Sequence, residues 1–434
     1  MELPLRPAAD KGGNDPKVPR ARAWLAFALV IGLMLSDFMS RQVISAVFPF
    51  LKDEWSLSDA QLGSLASVVA LVVGVMTFPV SLLADRFGRV RGVVAMAIVW
   101  GLATIGCGLA HDFTTMFIAR ALVGLGEAGY GSAGGAILTS LFPPRLHATV
   151  MGSFLAAALF GSVLGVVAGG LIAEGLGWRM AFVTVGAGGL LLAVVFPFAI
   201  REAPGPVGAG APLPPLRTIV RDLFRLRAAN FTYLASGLNM FAQVSVLTWA
   251  PSYLNRYYGL DPAGAALGAG LLLMVAGVGM AIGGVLVDRL STDRPRRRLF
   301  IPAIYSAASS IVLLSAFSLP PGPLQFALIV CGLLVGAGYA GPAGAVVADV
   351  HDRAIRATAL ATLALANNLI GLAPGPWVTG LLADARGLDA AFRVVPLTGL
   401  FAALFFIAAS RHYESDRRRH ARDFGDGVAG GRHR

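Results

Sequence analysis

Four ionisable side chains stand inside apolar stretches of this 434-residue chain: Asp37 and Arg41 in one stretch, Arg120 and Glu127 in another. A carboxylate in such a place can take up and release a proton. A guanidinium can grip a phosphate or carboxylate through two parallel donors. If the stretches are helices in lipid, each charge costs roughly 2.5 to 3.5 kcal/mol to insert, so it must face a partner or a watery cavity. Spacings of four and seven residues place each pair on one helical face.

The composition supplies the helices. Hydrophobic residues make up 56% of the chain and charged residues only 14%, with 53 glycines, which excludes an ordinary soluble domain. The apolar runs are repeatedly long enough for the roughly 20 residues that cross a bilayer, and lack the short alternation of a membrane barrel. About twelve runs are expected, giving an all-α integral membrane protein. No cleavable signal peptide is expected ahead of the first span.

A net charge of +11 would suit nucleic acid if the arginines formed one face. Instead they alternate between loops. Arg86, Arg89, Arg91, Arg145, Arg201, Arg217, Arg221, Arg225, Arg227, Arg289, Arg294, Arg296, Arg297, Arg298, Arg353 and Arg356 follow the even-numbered spans. The positive-inside rule puts these loops and both termini in the cytoplasm. Only three lysines accompany thirty-two arginines, a bias suggesting GC-rich coding and hence a bacterial inner membrane. Cys107 and Cys331 lie in apolar runs as packing residues, and no metal site, cofactor or disulfide is expected.

The two halves repeat. Ala128-Gly129-Tyr130 returns as Ala337-Gly338-Tyr339 and Ala148-Thr149 as Ala357-Thr358, at an offset of 209; Gly170 to Glu174 returns as Gly380 to Asp384 one residue later. The expected layout is a disordered N-terminus (1–22), a six-helix bundle (23–202), a Pro/Gly-rich linker (203–227), a second bundle (228–410) and a disordered basic tail (411–434). The repeat is least faithful in charge: Glu127 falls on Gly336, and the second half offers Asn239, Gln243, Tyr339, Asn367 and Asn368 instead.

Two strings resemble signatures of the major facilitator superfamily. Ser81-x-x-x-Asp85-Arg86-x-Gly88-Arg89 is similar to its G-x-x-x-D-R-x-G-R motif, with Ser81 in place of the usual glycine. Arg120-x-x-x-Gly124-x-Gly126 is similar to its fourth-span motif. Within the superfamily the N-terminal half resembles the Spinster group of lipid and sphingolipid transporters. This resemblance rests on Ser40-Arg41-Gln42-Val43-Ile44-Ser45, Leu57 to Gly63, Gly126 to Gly131 and Leu141 to Arg145. It implies two six-helix halves related by a pseudo-two-fold axis, and a proton-responsive acid beside the span-one arginine. Here Ser40 occupies that place, so Asp37, one turn earlier, is either the replacement or merely the counter-charge of Arg41.

The resulting assignments are Glu127 and Asp37 for proton coupling; Arg41, Arg120, Tyr130, Asn239, Gln243, Tyr339 and Asn367 for substrate; and Asp85, Arg86, Gly88, Arg89, Arg91, Asp288 and Arg289 for gating at the cytoplasmic mouth. The expected activity is secondary transport of an amphiphilic organic anion such as a lysolipid or sphingoid-like molecule. Protons and the bilayer are partners, and the chain is a monomer that binds no nucleic acid. A small-carboxylate symporter or an exporter of hydrophobic drugs are alternatives. A non-transporting receptor would need an output domain, and an enzyme a nucleophile or metal cluster. ATP-driven pumping would need a phosphate-cradling loop, and none of these appears.

Overall fold

The computed structural model describes residues 20–199, 221, 223–291, 296–351 and 355–429, with helix throughout and short connections. Most of the N-terminal segment and of the linker, with Arg201, Arg217, Arg294 and Arg353, lies outside the described residues. The first half comprises α1 (Arg20–Trp55), α2 (Asp59–Phe87), α3 (Arg89–Gly108), α4 (Phe113–Glu127), α5 (Tyr130–Leu141), α6 (His147–Leu176) and α7 (Trp178–Ala199). The second comprises α8 (Arg227–Tyr258), α9 (Pro262–Leu290), α10 (Arg297–Ser318), α11 (Pro323–Gly336), α12 (Ala340–Val350), α13 (Arg356–Ala366), α14 (Pro374–Arg386), α15 (Leu388–Phe392) and α16 (Leu397–Ala429).

Among the described residues, ten segments are long and apolar enough to cross a membrane. Two further crossings fall short of that measure, each for a reason of its own. The fourth is broken at Ala128–Gly129 into α4 and α5. The seventh, α8, carries Thr232, Ser236, Asn239, Gln243 and Ser245 along its length. Between them they carry Arg120, Glu127, Tyr130, Asn239 and Gln243 from the coupling and substrate assignments.

The break in the fourth crossing has its counterpart in the tenth. There α11 gives way to a single 3₁₀ turn at Ala337–Tyr339 before α12 resumes, at the place where Ala128-Gly129-Tyr130 repeats. In the eleventh crossing, a π-helical turn over Asn367–Leu372 separates α13 from α14. Such a turn widens the helix and redirects side chains, a feature frequent at functional sites.

The last helix continues past residue 410, where composition alone predicts a disordered tail. Tyr413 is fully buried and donates its hydroxyl to Asp349 Oδ2 at 2.9 Å. Asp416 accepts from Ala228 N at 2.8 Å and so caps the start of α8. An orphan amide at a helix N-terminus needs such an acceptor, and the structure recruits it from a stretch that composition alone reads as solvated.

The two halves meet through α6 against α9 and α2 against α14, with α1 touching α8. These contacts run from the ends poor in basic loops inward to about mid-helix, at Gly74 against Asn368 and Gly277 against Leu159. Beyond that point, towards the end where Arg86, Arg89 and Arg91 lie, Phe78 of α2 is well exposed.

Candidate functional site

Glycines let the fourth crossing sit deep in the first half. A Cβ on Gly124 would stand 2.8 Å from Val69 O of α2, and one on Gly126 would stand 2.5 Å from Trp100 N of α3. Real Cβ atoms never approach so closely, so the R-x-x-x-G-x-G pattern is what permits this three-helix contact. On the other side, Gly161 and Gly165 of α6 bring that helix against Leu35 O and Met39 O of α1. Arg120 and Glu127 are thereby pressed towards the face of α1 that carries Asp37, Ser40 and Arg41.

Arg120 and Glu127 do not pair within their own helix, as spacing suggests, and Arg41 has a closer partner than Asp37. Arg41 Nε lies 2.8 Å from Glu127 Oε2 and 3.9 Å from Asp37 Oδ1. The principal ion pair therefore joins α1 to α4. The other oxygen, Glu127 Oε1, accepts from Ser40 Oγ at 2.8 Å. Ser40, standing where the resembling family carries its acid, thus touches the carboxylate of Glu127 directly.

Arg120 is spent differently. Its Nη1 donates to Ser40 O at 2.8 Å, Nη2 to Arg41 O at 3.2 Å and Nε to Leu65 O at 3.0 Å. It is 1% exposed, and its donors are absorbed by main-chain carbonyls of α1 and α2. In this conformation it is a staple for the three helices rather than an open anion grip. Arg41 is the accessible cation of the group, with 19% side-chain exposure against 0% for Glu127 and 4% for Asp37. Its guanidinium carbon lies 5.2 Å from the Phe38 ring centroid, within cation–π range.

The polar residues of the second half form a separate seam. Asn239 Nδ2 donates to Gly336 O at 3.1 Å, and Ser236 Oγ donates to Asn367 Oδ1 at 2.7 Å. Gln243 is packed into the space beside Gly336, where a Cβ would collide with its amide and with Ser309 Oγ. Tyr339 is 2% exposed nearby. Tyr130, assigned to substrate from the sequence, lies elsewhere. Fully buried, it donates to Val30 O at 2.7 Å and packs edge-on against Trp100, so it holds α5 to α1 and lines no open space.

The residues assigned to gating from the sequence lie at the basic end. Gly88, with φ of 103°, makes the turn between α2 and α3 that a residue with a Cβ would resist. Arg86, Arg89 and Arg91 are exposed around it, as are Asp288 and Arg289 at the end of α9. Asp85 lies on the last turn of α2, with its side chain outside the described residues.

The family model of the Major Facilitator Superfamily matches residues 30–341. The chain belongs to that superfamily and is a membrane transporter, not an enzyme. An MFS-type efflux pump of Mycolicibacterium smegmatis is 28% identical, over 94% of this chain and 97% of its own. Human protein spinster homolog 1 is 26% identical, over 92% of this chain and 82% of its own. The structure also aligns with the inward-facing, occupied crystal structure of a bacterial homolog to the human lysosomal transporter Spinster. That match has a TM-score of 0.84 at 24% identity and covers 92% of this chain and 99% of that one. The resemblance to the Spinster group read from the first half thus extends over nearly the full length.

Proposed function

We propose that the chain is a proton-coupled secondary transporter of an amphiphilic organic anion, and that the basic-loop end, open here, faces the cytoplasm of a bacterial inner membrane. One observation carries this reading: the 2.8 Å ion pair between Arg41 and Glu127, in which the cation is partly open and the carboxylate is sealed.

The pair supplies a coupling cycle. An entering anion engages the accessible guanidinium of Arg41 and draws it from Glu127. The carboxylate is left with the Ser40 hydroxyl and without its counter-charge, and an unpaired charge away from water is costly. It takes a proton from the open side. After the halves rock, release of the anion returns Arg41 to Glu127, and the proton leaves on the other side. Asp37, within reach of the same Nε, is the second acid that Arg41 can satisfy during the exchange. The apolar part of the cargo is accommodated by Phe38, and its uncharged polar part by the second-half seam of Asn239, Gln243 and Asn367. The resemblance to the Spinster group favours a lysolipid or sphingoid-like molecule.

Purified protein in liposomes containing an internal pH dye, challenged with anionic lysolipids, small carboxylates and cationic drugs in turn, tests the reading. It predicts flux of the lysolipid accompanied by a pH change inside. Transport restricted to small carboxylates or to cationic drugs overturns the cargo. Lysolipid flux without a linked pH change overturns the coupling.

A further inference from the structure

The repeat contains a pattern that the coupling site does not use. Gly170-Leu-Ile-Ala-Glu174 at the end of α6 and Gly380-Leu-Leu-Ala-Asp384 at the end of α14 both place an acid four residues after a glycine. Both acids cross to the opposite half. Glu174 Oε2 accepts from Ala263 N, at the start of α9, at 2.7 Å. Asp384 Oδ1 accepts from Asp59 N at 2.7 Å and Oδ2 from Ala60 N at 2.9 Å, at the start of α2.

The glycines explain how the acids reach. A Cβ on Gly380 would collide with Asp59 O, and one on Gly170 with Ala266 of α9. Each glycine therefore lets its helix lie directly against the first turn of a helix in the other half, and the acid one turn later lands on that helix's unpaired amides. Those helix starts already have caps of their own: the Ser58 side chain accepts from Gln61 N, and Asp261 from Gly264 N. The first one or two amides are left over, and the opposite half supplies their acceptor. A third link is an ion pair between halves, in which Arg256 of α8 grips both oxygens of Asp59 at 2.7 and 2.8 Å while Lys52 holds one of them at 2.6 Å.

We infer that Glu174 and Asp384 are a pseudo-symmetric pair of latches that hold the two halves together at the end poor in basic loops, and that their release is part of each transport cycle. The inference rests on the reading of the protein as an alternating-access carrier. Both latches join the halves rather than helices within one half, and both lie at the end that is closed. Rocking to the other state must strip the carboxylates from the amides and hand both groups to water. A charge on a helix N-terminus at an exposed site is a modest contribution, so the latches bias an equilibrium without locking it.

Spin-label distances test this in a chain carrying Cys107→Ala and Cys331→Ala. One label pair is introduced at the latched end, through His111→Cys and Pro321→Cys, and one at the basic end, through Ala148→Cys and Ala357→Cys. All four positions are exposed. In the Glu174→Gln, Asp384→Asn double variant, the population with a long His111–Pro321 distance is expected to rise about two- to fivefold per latch removed, with a matching shortening of the Ala148–Ala357 pair. Lengthening of the first without shortening of the second supports the latches and overturns the rocking reading. Unchanged distributions at both ends, in protein that elutes as a single folded species, overturn the latches. Should the double variant not fold, each single variant keeps one latch and carries the same test with a smaller shift.

Discussion

Glu127 in the first half and Gly336 in the second occupy matched places on helices that bend at the same point, yet one carries a sealed carboxylate and the other no side chain at all. Around Glu127 the neighbours are the Arg41 guanidinium and the Ser40 hydroxyl. Around Gly336 they are the amides of Gln243 and Asn239 and the hydroxyl of Ser309. The first set changes charge when a proton or an anion arrives; the second cannot. On the proposed function, a duplicated frame is divided into a half that does electrostatic work and a half that recognises shape and polarity.

The comparison can be broken in several places. Arg120→Ala should have the largest effect on the fold, because it removes three buried donors joining α4 to α1 and α2. A loss on the order of 3 kcal/mol is expected, visible as a much lower unfolding temperature in detergent. A role confined to substrate would leave that temperature unchanged.

Gly336→Ala should cost about 2 kcal/mol, since the added methyl meets Gln243 and Ser309 in a packed seam. Thermal unfolding reads this as well. A neutral result would mean that the second-half seam is loose. Tyr130→Phe removes the single bond to Val30 O and should cost about 1 kcal/mol with substrate KM unaltered. A change in KM without a change in stability would return Tyr130 to the substrate cavity. The smallest effect is expected for Gln243→Leu: about a threefold change in KM for uptake, roughly 0.7 kcal/mol, with the pH profile intact. A displaced pH profile would show that the second half also takes part in coupling.

Much of this division was legible in the sequence. The mismatch of Glu127 with Gly336 follows from counting along the repeat, and the twelve crossings follow from run length and composition. What spacing could not supply was partnership between helices. Arg120 and Glu127 share a face seven residues apart, but the glycines that admit α4 also bring it within reach of α1, so Arg41 takes the carboxylate and main-chain carbonyls take Arg120. The order of the tail beyond residue 410 was hidden likewise, because Asp416 finds its partner on α8, some 190 residues away along the chain. The Gly-to-acid repeat was visible as a repeat, yet its meaning depended on knowing that α6 faces α9 and α14 faces α2.

The assignment of coupling to the first half is tested most directly by Glu127→Gln in liposomes loaded with a pH dye, run beside the unaltered protein under an imposed gradient of the transported anion. The substitution keeps the shape and an acceptor for Ser40 but removes the titrating group. The account predicts anion flux with no linked pH change in the variant, and a linked change in the unaltered protein. Proton movement undiminished in the variant would contradict it.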